Sequence, residues 1–95
     1  MPVQPPRKRY LAVRVKGSES LSKDEVERFV QTLATEGRVG PALLRVIWYD
    51  SGTGIGIIRC SHRSVDGLKS AMSAVAEISG RRAAIKTMGV SGTIR

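Results

Sequence analysis

The sequence has few of the residues on which small disulfide-bonded domains and metal-binding domains depend. It contains one cysteine, one histidine, no asparagine and only four aromatic residues. A single cysteine cannot form an internal disulfide, and one cysteine with one histidine does not supply the ligands of a structural zinc site. We therefore expect neither a disulfide framework nor a bound metal. Cys60 is expected to end a strand and to point into the core as a small apolar residue.

Long apolar runs are also absent. A membrane-spanning helix needs about 20 consecutive apolar residues, and no segment approaches that length. Residues 1–6 carry three of the four prolines, and no apolar segment follows the charges after them, so they do not form a signal peptide. The sequence predicts a flexible, basic, proline-rich arm over residues 1–8, no membrane association and a cytoplasmic location.

Acidic residues are scarce beside the basic ones. Sixteen lysines and arginines oppose eight aspartates and glutamates, which leaves a net charge of +8 and a pI near 10.6. At this chain length the excess points to a polyanionic partner, and RNA or DNA is favoured over an anionic membrane. A basic protein without a nucleic-acid partner remains the alternative interpretation.

The first half of the chain predicts a strand and a helix. Apolar residues at every second position indicate a half-buried strand over 9–16. Ser22 and Glu25 have the spacing of a capping box, which marks the start of a helix, and Gly37 is expected to end it.

The second half predicts a hairpin, a helix and a last strand. The elements are a strand over 42–50, a turn over 51–54, a strand over 55–60, a helix from Ser61 or Ser64 to Gly80, and a strand over 82–88. Strict alternation in the first of these strands places Val46 and Trp48 on one face, with Ile47 and Tyr49 on the other. The glycine at position 56, inside a strand, predicts a bulge or a close backbone approach.

This order of elements predicts one α+β domain over residues 9–95. Strand, helix, strand, strand, helix and strand make a ferredoxin-like split βαβ sandwich, with a four-stranded antiparallel sheet and both helices on one face. The other face would carry an apolar strip. Either a protein partner or the C-terminal segment of the chain would cover this strip, and the sequence leaves both alternatives open. The predicted partner-contact residues are Ala12, Ile47, Tyr49, Ile57 and Met88.

No arrangement of residues predicts catalysis by the polypeptide. The glycine run from Gly52 to Gly56 precedes a strand, whereas a phosphate-binding loop precedes a helix, so a hairpin turn is favoured. His62 has no carboxylate or nucleophile placed beside it and is predicted to be a surface histidine that bonds to a phosphate. Acylphosphatases share the size and layout, but they need an arginine in the loop after the first strand and an asparagine that orients water. The loop over residues 17–20 has no arginine, and the chain has no asparagine.

Nucleic-acid binding through the phosphate backbone fits the composition better. Only Tyr10 and Tyr49 would offer rings on the open sheet face, so base stacking has little support, and phosphate contacts that position a structured RNA are favoured. The predicted RNA-binding residues are Arg7, Lys8, Arg9, Arg14, Lys16, Arg59, His62, Arg63, Arg81, Arg82, Lys86 and Arg95.

Three blocks of the sequence carry a family resemblance. Arg7–Leu11 (RKRYL), Gly54–Ser61 (GIGIIRCS) and Gly89–Arg95 (GVSGTIR) resemble, in order and spacing, the ribonuclease P protein component 2 family. The resemblance covers residues 7 to 95. It implies a small protein subunit of the RNA-containing endonuclease that removes the 5′ leader from precursor tRNA.

The same resemblance implies a set of partners. Ribonuclease P RNA would perform the metal-assisted hydrolysis, with Mg²⁺ bound at the RNA and no cofactor held by this chain. The protein partner would be component 3, a TIM-barrel-like subunit, and precursor tRNA would be contacted indirectly. The small size resembles archaeal members, and self-association stays open. The alternative is a general RNA-binding module of ribosomal type without a dedicated protein partner.

Overall fold

The computed structural model describes residues 7–17 and 21–92 as two helices and an antiparallel sheet. The elements are β1 (Lys8–Gly17), α1 (Lys23–Thr35), β2 (Arg45–Asp50), β3 (Ile55–Ser61), a 3-10 turn (His62–Ser64), α2 (Val65–Ser73), β4 (Glu77–Ile78) and β5 (Arg81–Ser91). The strand order in the sheet is β2-β3-β1-β5-β4. The predicted α+β class is confirmed, whereas the predicted count of four strands is wrong. β1 begins at Lys8, so the last residue of the predicted arm lies in the sheet, and residues 1–6 lie outside the described part of the chain.

Helix α1 begins and ends where its sequence predicts. The Ser22 Oγ accepts a hydrogen bond from the backbone N–H of Glu25 at 3.3 Å and donates one to Glu25 Oε1 at 3.3 Å. Such a cap contributes about 1 kcal/mol. The helix stops two residues before Gly37, whose φ of +74° gives the left-handed conformation that commonly closes a helix.

Helix α2 is shorter than predicted, and the difference creates the fifth strand. The helix ends at Ser73, and Ile78, which the helical spacing assigned to its apolar stripe, lies 2% exposed in β4 opposite Arg81. Ser79 and Gly80 have φ of +55° and +76°. Two consecutive left-handed residues form the tightest hairpin connection, so the chain turns here between β4 and β5.

The core lies between one face of the sheet and the two helices. The buried residues of β1, Leu11, Val13 and Val15, belong to one cluster with those of both helices. Cys60 is 0% exposed in this cluster, which confirms its predicted inward position. Burial raises the pKa of its thiol above the ordinary value of 9.0.

Because the Cys60 thiol is buried, we expect the folded protein to lose stability at alkaline pH. Above pH 9 the thiol of the unfolded chain ionises while the folded chain keeps its proton, so the unfolded state is favoured. The stability that comes from the buried, protonated thiol is therefore fully present below pH 9. Above pH 9 the free energy of unfolding falls by up to about 1.4 kcal/mol per pH unit. Urea unfolding between pH 8 and pH 10 should show a steeper decline for the unmodified protein than for Cys60→Ala. Parallel curves would contradict the assignment.

A β-bulge in β2 reverses the alternation of its side chains. Val46 pairs with Ile58, and the next pair is Trp48 with Ile57, so Ile47 is an extra residue with no opposite partner. Because directly paired residues share a face, Trp48 lies with Ile57 on the face away from the core. It is 48% exposed. The predicted grouping of Trp48 with Val46 is therefore wrong.

The same bulge places Tyr49 on the helix-covered face. Tyr49 pairs with Gly56 and packs against the core. A Cβ on Gly56 would lie 3.0 Å from Tyr49 Cδ2 and 3.1 Å from the Trp48 carbonyl oxygen, so the close backbone approach predicted at this glycine is confirmed. Burial, with smaller contributions from the negative charges of Asp50 and Glu25, raises the pKa of the Tyr49 hydroxyl. The predicted position of Tyr49 on the open face is wrong.

A second bulge interrupts the pairing of β5 with β1. Val13 pairs with Thr87 and Ala12 with Gly89, which leaves Met88 as the extra residue, 49% exposed. Beyond the bulge β5 continues beside β1 as far as Ser91. The remaining C-terminal residues to which the sequence assigned a role, including Arg95, lie outside the described residues.

Candidate nucleic-acid interface

The sheet face opposite the helices, here called the open face, is built from rows of residues paired across the strands. The central row is apolar and consists of Trp48, Ile57, Ala12 and Gly89. One neighbouring row consists of Arg45, Arg59, Tyr10 and Ser91, and the other of Asp50, Ile55, Arg14 and Lys86. An apolar row thus runs across the sheet between two rows that carry basic side chains.

Positive charge predominates on the open face. The acidic residues on this face are Asp50 and Glu77, and the basic residues are Lys8, Arg14, Lys16, Arg45, Arg59, Arg82 and Lys86. The Asp50 carboxylate is engaged in the hairpin turn, where it accepts hydrogen bonds from the Gly52 N–H at 3.1 Å and the Thr53 hydroxyl at 3.0 Å. The open face therefore presents a positive potential to an approaching polyanion.

Two like-charge pairs stand directly opposite each other across the strands. Arg45 is opposite Arg59, and Arg14 is opposite Lys86. Like charges in this relation destabilise a sheet by a few tenths of a kcal/mol to about 1 kcal/mol. An anion bound between the two members of a pair would offset that repulsion, so each pair is suited to a phosphate.

Arg59 is held in position by the loop before β2. Its Nε donates a hydrogen bond to the Leu43 carbonyl at 3.0 Å. Leu43 has a φ of +63°, a left-handed conformation that is uncommon for leucine. The backbone of this loop therefore aims a carbonyl at one nitrogen of the guanidinium, and the two terminal nitrogens remain as donors for a ligand.

A second group of predicted residues meets where β1 begins and β3 ends. The Arg7 N–H donates to His62 Nδ1 at 3.0 Å, and the His62 N–H donates to the Arg7 carbonyl at 2.8 Å. Because Nδ1 accepts, the ring carries its proton on Nε2 in this arrangement. Arg7, Lys8 and Arg63 are exposed around this junction. Arg9 pairs opposite Cys60, and its Nη1 donates to the Lys8 carbonyl at 2.8 Å.

Arg81 and Arg82 are neighbours in sequence but lie on opposite faces. Arg81 is opposite the buried Ile78, and its Nη2 lies 3.2 Å from Glu25 Oε1 of α1. Arg82 is exposed and opposite Glu77 at the far edge of the sheet. The structure therefore does not bring the two arginines together, and Arg81 serves to hold α1 against the sheet.

Arg45 and Trp48 belong to the open face but were absent from the predicted site. Alternation with Val46 assigned Trp48 to the core, and only the bulge at Ile47 exposes it. Isoleucine is a common strand residue, so nothing in its identity marks a bulge. For Arg45 the signal was present in the sequence, since it is basic and alternates with the apolar Leu44 and Val46.

Two further properties apply to the described residues. Within residues 7–17 and 21–92, no group of three histidine, cysteine, aspartate or glutamate side chains is placed to hold a metal ion. No helix in this part of the chain is both long enough and apolar enough to cross a membrane.

Comparisons with known proteins agree on one family. Residues 9–95 match the model of the Rpp14/Pop5 family. Similar proteins named Ribonuclease P protein component 2 include those of Pyrococcus horikoshii, 36% identical, Pyrococcus furiosus, 37% identical, and Methanosarcina mazei, 31% identical. Each alignment is 93 positions long and covers 94% of this chain and 78% of the relative. This chain belongs to the Rpp14/Pop5 family.

Proposed function

We propose that this chain is a protein subunit of ribonuclease P that supports the catalytic RNA through phosphate contacts. The observation that carries the proposal is the basic open face, with its opposed pairs Arg45–Arg59 and Arg14–Lys86, in a chain whose relatives are named Ribonuclease P protein component 2. Phosphate contacts position a structured RNA without reading its sequence. They also offset the repulsion between RNA helices that must pack together.

In this proposal the RNA, with Mg²⁺, cleaves the 5′ leader of precursor tRNA, and the polypeptide contributes no catalytic residue. The chain would act in the cytoplasm with component 3 as its protein partner and would contact precursor tRNA only indirectly. The exposed bulge residue Met88 and the half-buried Ile47 stay proposed contacts for a protein partner or for a second copy of this chain. The strand order is compatible with a ferredoxin-like fold to which the β4 hairpin has been added.

Reconstitution tests the proposal directly. Ribonuclease P RNA mixed with this chain and component 3 should remove the leader from precursor tRNA faster than the RNA alone at moderate Mg²⁺. The chain alone should leave precursor tRNA intact. Unchanged cleavage in every combination would contradict a role in ribonuclease P, and cleavage by the polypeptide alone would contradict the assignment of catalysis to the RNA.

A general RNA-binding module is the second candidate, because a basic sheet face suits any structured RNA. The two candidates differ in selectivity. A ribonuclease P subunit should stimulate cleavage at protein concentrations close to those of the RNA. A general module would bind ribonuclease P RNA and an unrelated structured RNA of equal length alike, and would leave cleavage unchanged.

A further inference from the structure

We propose that the open face holds a single-stranded segment of RNA, with one unpaired base stacked on Trp48 and a neighbouring phosphate held between Arg45 and Arg59. This inference rests on the proposed function and assigns its RNA contact to one place on the sheet. It differs from backbone contact alone, because it requires a base that is not paired in a helix.

The exposed indole is the first observation. Trp48 lies in the apolar row beside Ile57 and Ala12, which are half-buried and form the floor next to it. Leaving about half of the largest apolar side chain in water is unfavourable unless a partner covers it. Every base has a flat aromatic face, so an exposed ring on a sheet accepts a base without regard to its identity.

The charges beside the indole decide the chemistry of the partner. The pair of Arg45 and Arg59 lies in the row next to Trp48, and Arg59 is already oriented by the Leu43 carbonyl. Guanidinium groups bind phosphate oxygens through two parallel hydrogen bonds, so two of them side by side suit one phosphate. A protein partner would have to supply an acidic group at the same point.

The second like-charge pair lies on the other side of the apolar row, toward the end away from the indole. Arg14 and Lys86 stand on β1 and β5, separated from Trp48 by β3. The residue of their row that neighbours Trp48 on β2 is Asp50, whose carboxylate is engaged in the hairpin turn. A single strand that runs diagonally from the first like-charge pair to the second would place phosphates near both basic pairs and its bases over the apolar row between them. An RNA duplex presents phosphates but no base face, so it would leave Trp48 uncovered.

The only tryptophan of the chain makes the test direct, because its fluorescence reports on Trp48 alone. Titration of the full-length chain with single-stranded hexauridylate and hexaadenylate should quench this fluorescence in low salt. A 12-base-pair RNA duplex at the same phosphate concentration should quench it much less. Equal quenching by duplex and single strand, or none by either, would overturn the inference.

Two variants of Trp48 separate stacking from charge. Trp48→Ala should weaken hexamer binding about 5- to 150-fold, the loss expected from removing one stacked base, when affinity is followed with an end-labelled oligonucleotide. Trp48→Phe keeps a ring and should bind within a few-fold of the unmodified chain. Circular dichroism should show both variants folded, since the side chain is exposed. Unchanged affinity in Trp48→Ala would overturn the inference.

A matched pair of arginine variants tests the phosphate position. Arg45→Ala removes one member of the opposed pair and should weaken hexamer binding at least about tenfold. Arg28→Ala removes the same charge from an exposed position on α1 and should change the affinity much less. Equal losses in the two variants would show that only net charge matters, which would overturn the assigned site.

Protein docking at the same face has its own signature. If hexamers leave the Trp48 fluorescence unchanged while component 3 shifts it, and Trp48→Ala loses only the binding of component 3, the occupant is a protein and the inference fails. The proposed function would survive that result, because leader removal in the reconstituted enzyme is measured separately.

Discussion

The Gly54→Ala variant is expected to lose roughly 3–5 kcal/mol of unfolding free energy, a large share of the stability of a domain of this size. Gly54 has a φ of +75°, and its carbonyl accepts a hydrogen bond from the Val15 N–H at 2.7 Å. A Cβ at this position would collide with the Val15 carbonyl oxygen of β1. Backbone atoms cannot rotate aside, so relief would require the hairpin to separate from β1.

Gly80→Ala is the matched control for this prediction. Gly80 has a φ of +76°, almost the same as that of Gly54, but a Cβ there would have no atom within 4 Å. Its replacement should cost only the strain of a left-handed alanine, about 1–2 kcal/mol. Urea unfolding followed by far-ultraviolet circular dichroism measures both variants. Equal losses would show that the close approach to Val15 has no energetic consequence.

The double variant Arg14→Ala with Lys86→Ala should bind ribonuclease P RNA much more weakly and with a shallower dependence on salt. Each phosphate contact releases counterions, so the loss of two contacts should lower the slope of log affinity against log salt by about 1.4–1.8. The free protein should be equally stable or slightly more stable, because the two residues are opposed like charges. Weaker RNA binding combined with unchanged or higher stability distinguishes a pair that binds RNA from a pair that stabilises the fold.

Arg28→Ala with Arg38→Ala supplies the control, since it removes two exposed charges from the part of the chain that forms and follows α1. Its slope should stay close to that of the unmodified chain in filter-binding titrations across a range of KCl concentrations. If the slope of log affinity against log salt fell equally in both double variants, the RNA would not bind preferentially at the open face. Arg81 is avoided in this design because its replacement would also remove the partner of Glu25.

Local interactions explain which elements were predicted correctly. The cap between Ser22 and Glu25 and the left-handed Gly37 act within a few residues, so helix α1 can be derived from its own segment. The second helix shows the limit of this argument. Ile78 continues the helical spacing of the stripe, yet the Ser79–Gly80 turn allows it to be buried in a hairpin instead. Both outcomes bury the same side chain, and spacing alone cannot choose between them.

For the candidate site, the sequence by itself determined the excess of positive charge and the strand that carries Arg14. Composition sets the charge, and alternation within β1 sets the face of each residue without reference to any neighbour. Only the tertiary structure decided that Trp48 is exposed, that Tyr49 is covered and that Arg45 stands opposite Arg59. A bulge depends on how two strands pair, and one extra residue there reverses every side chain beyond it.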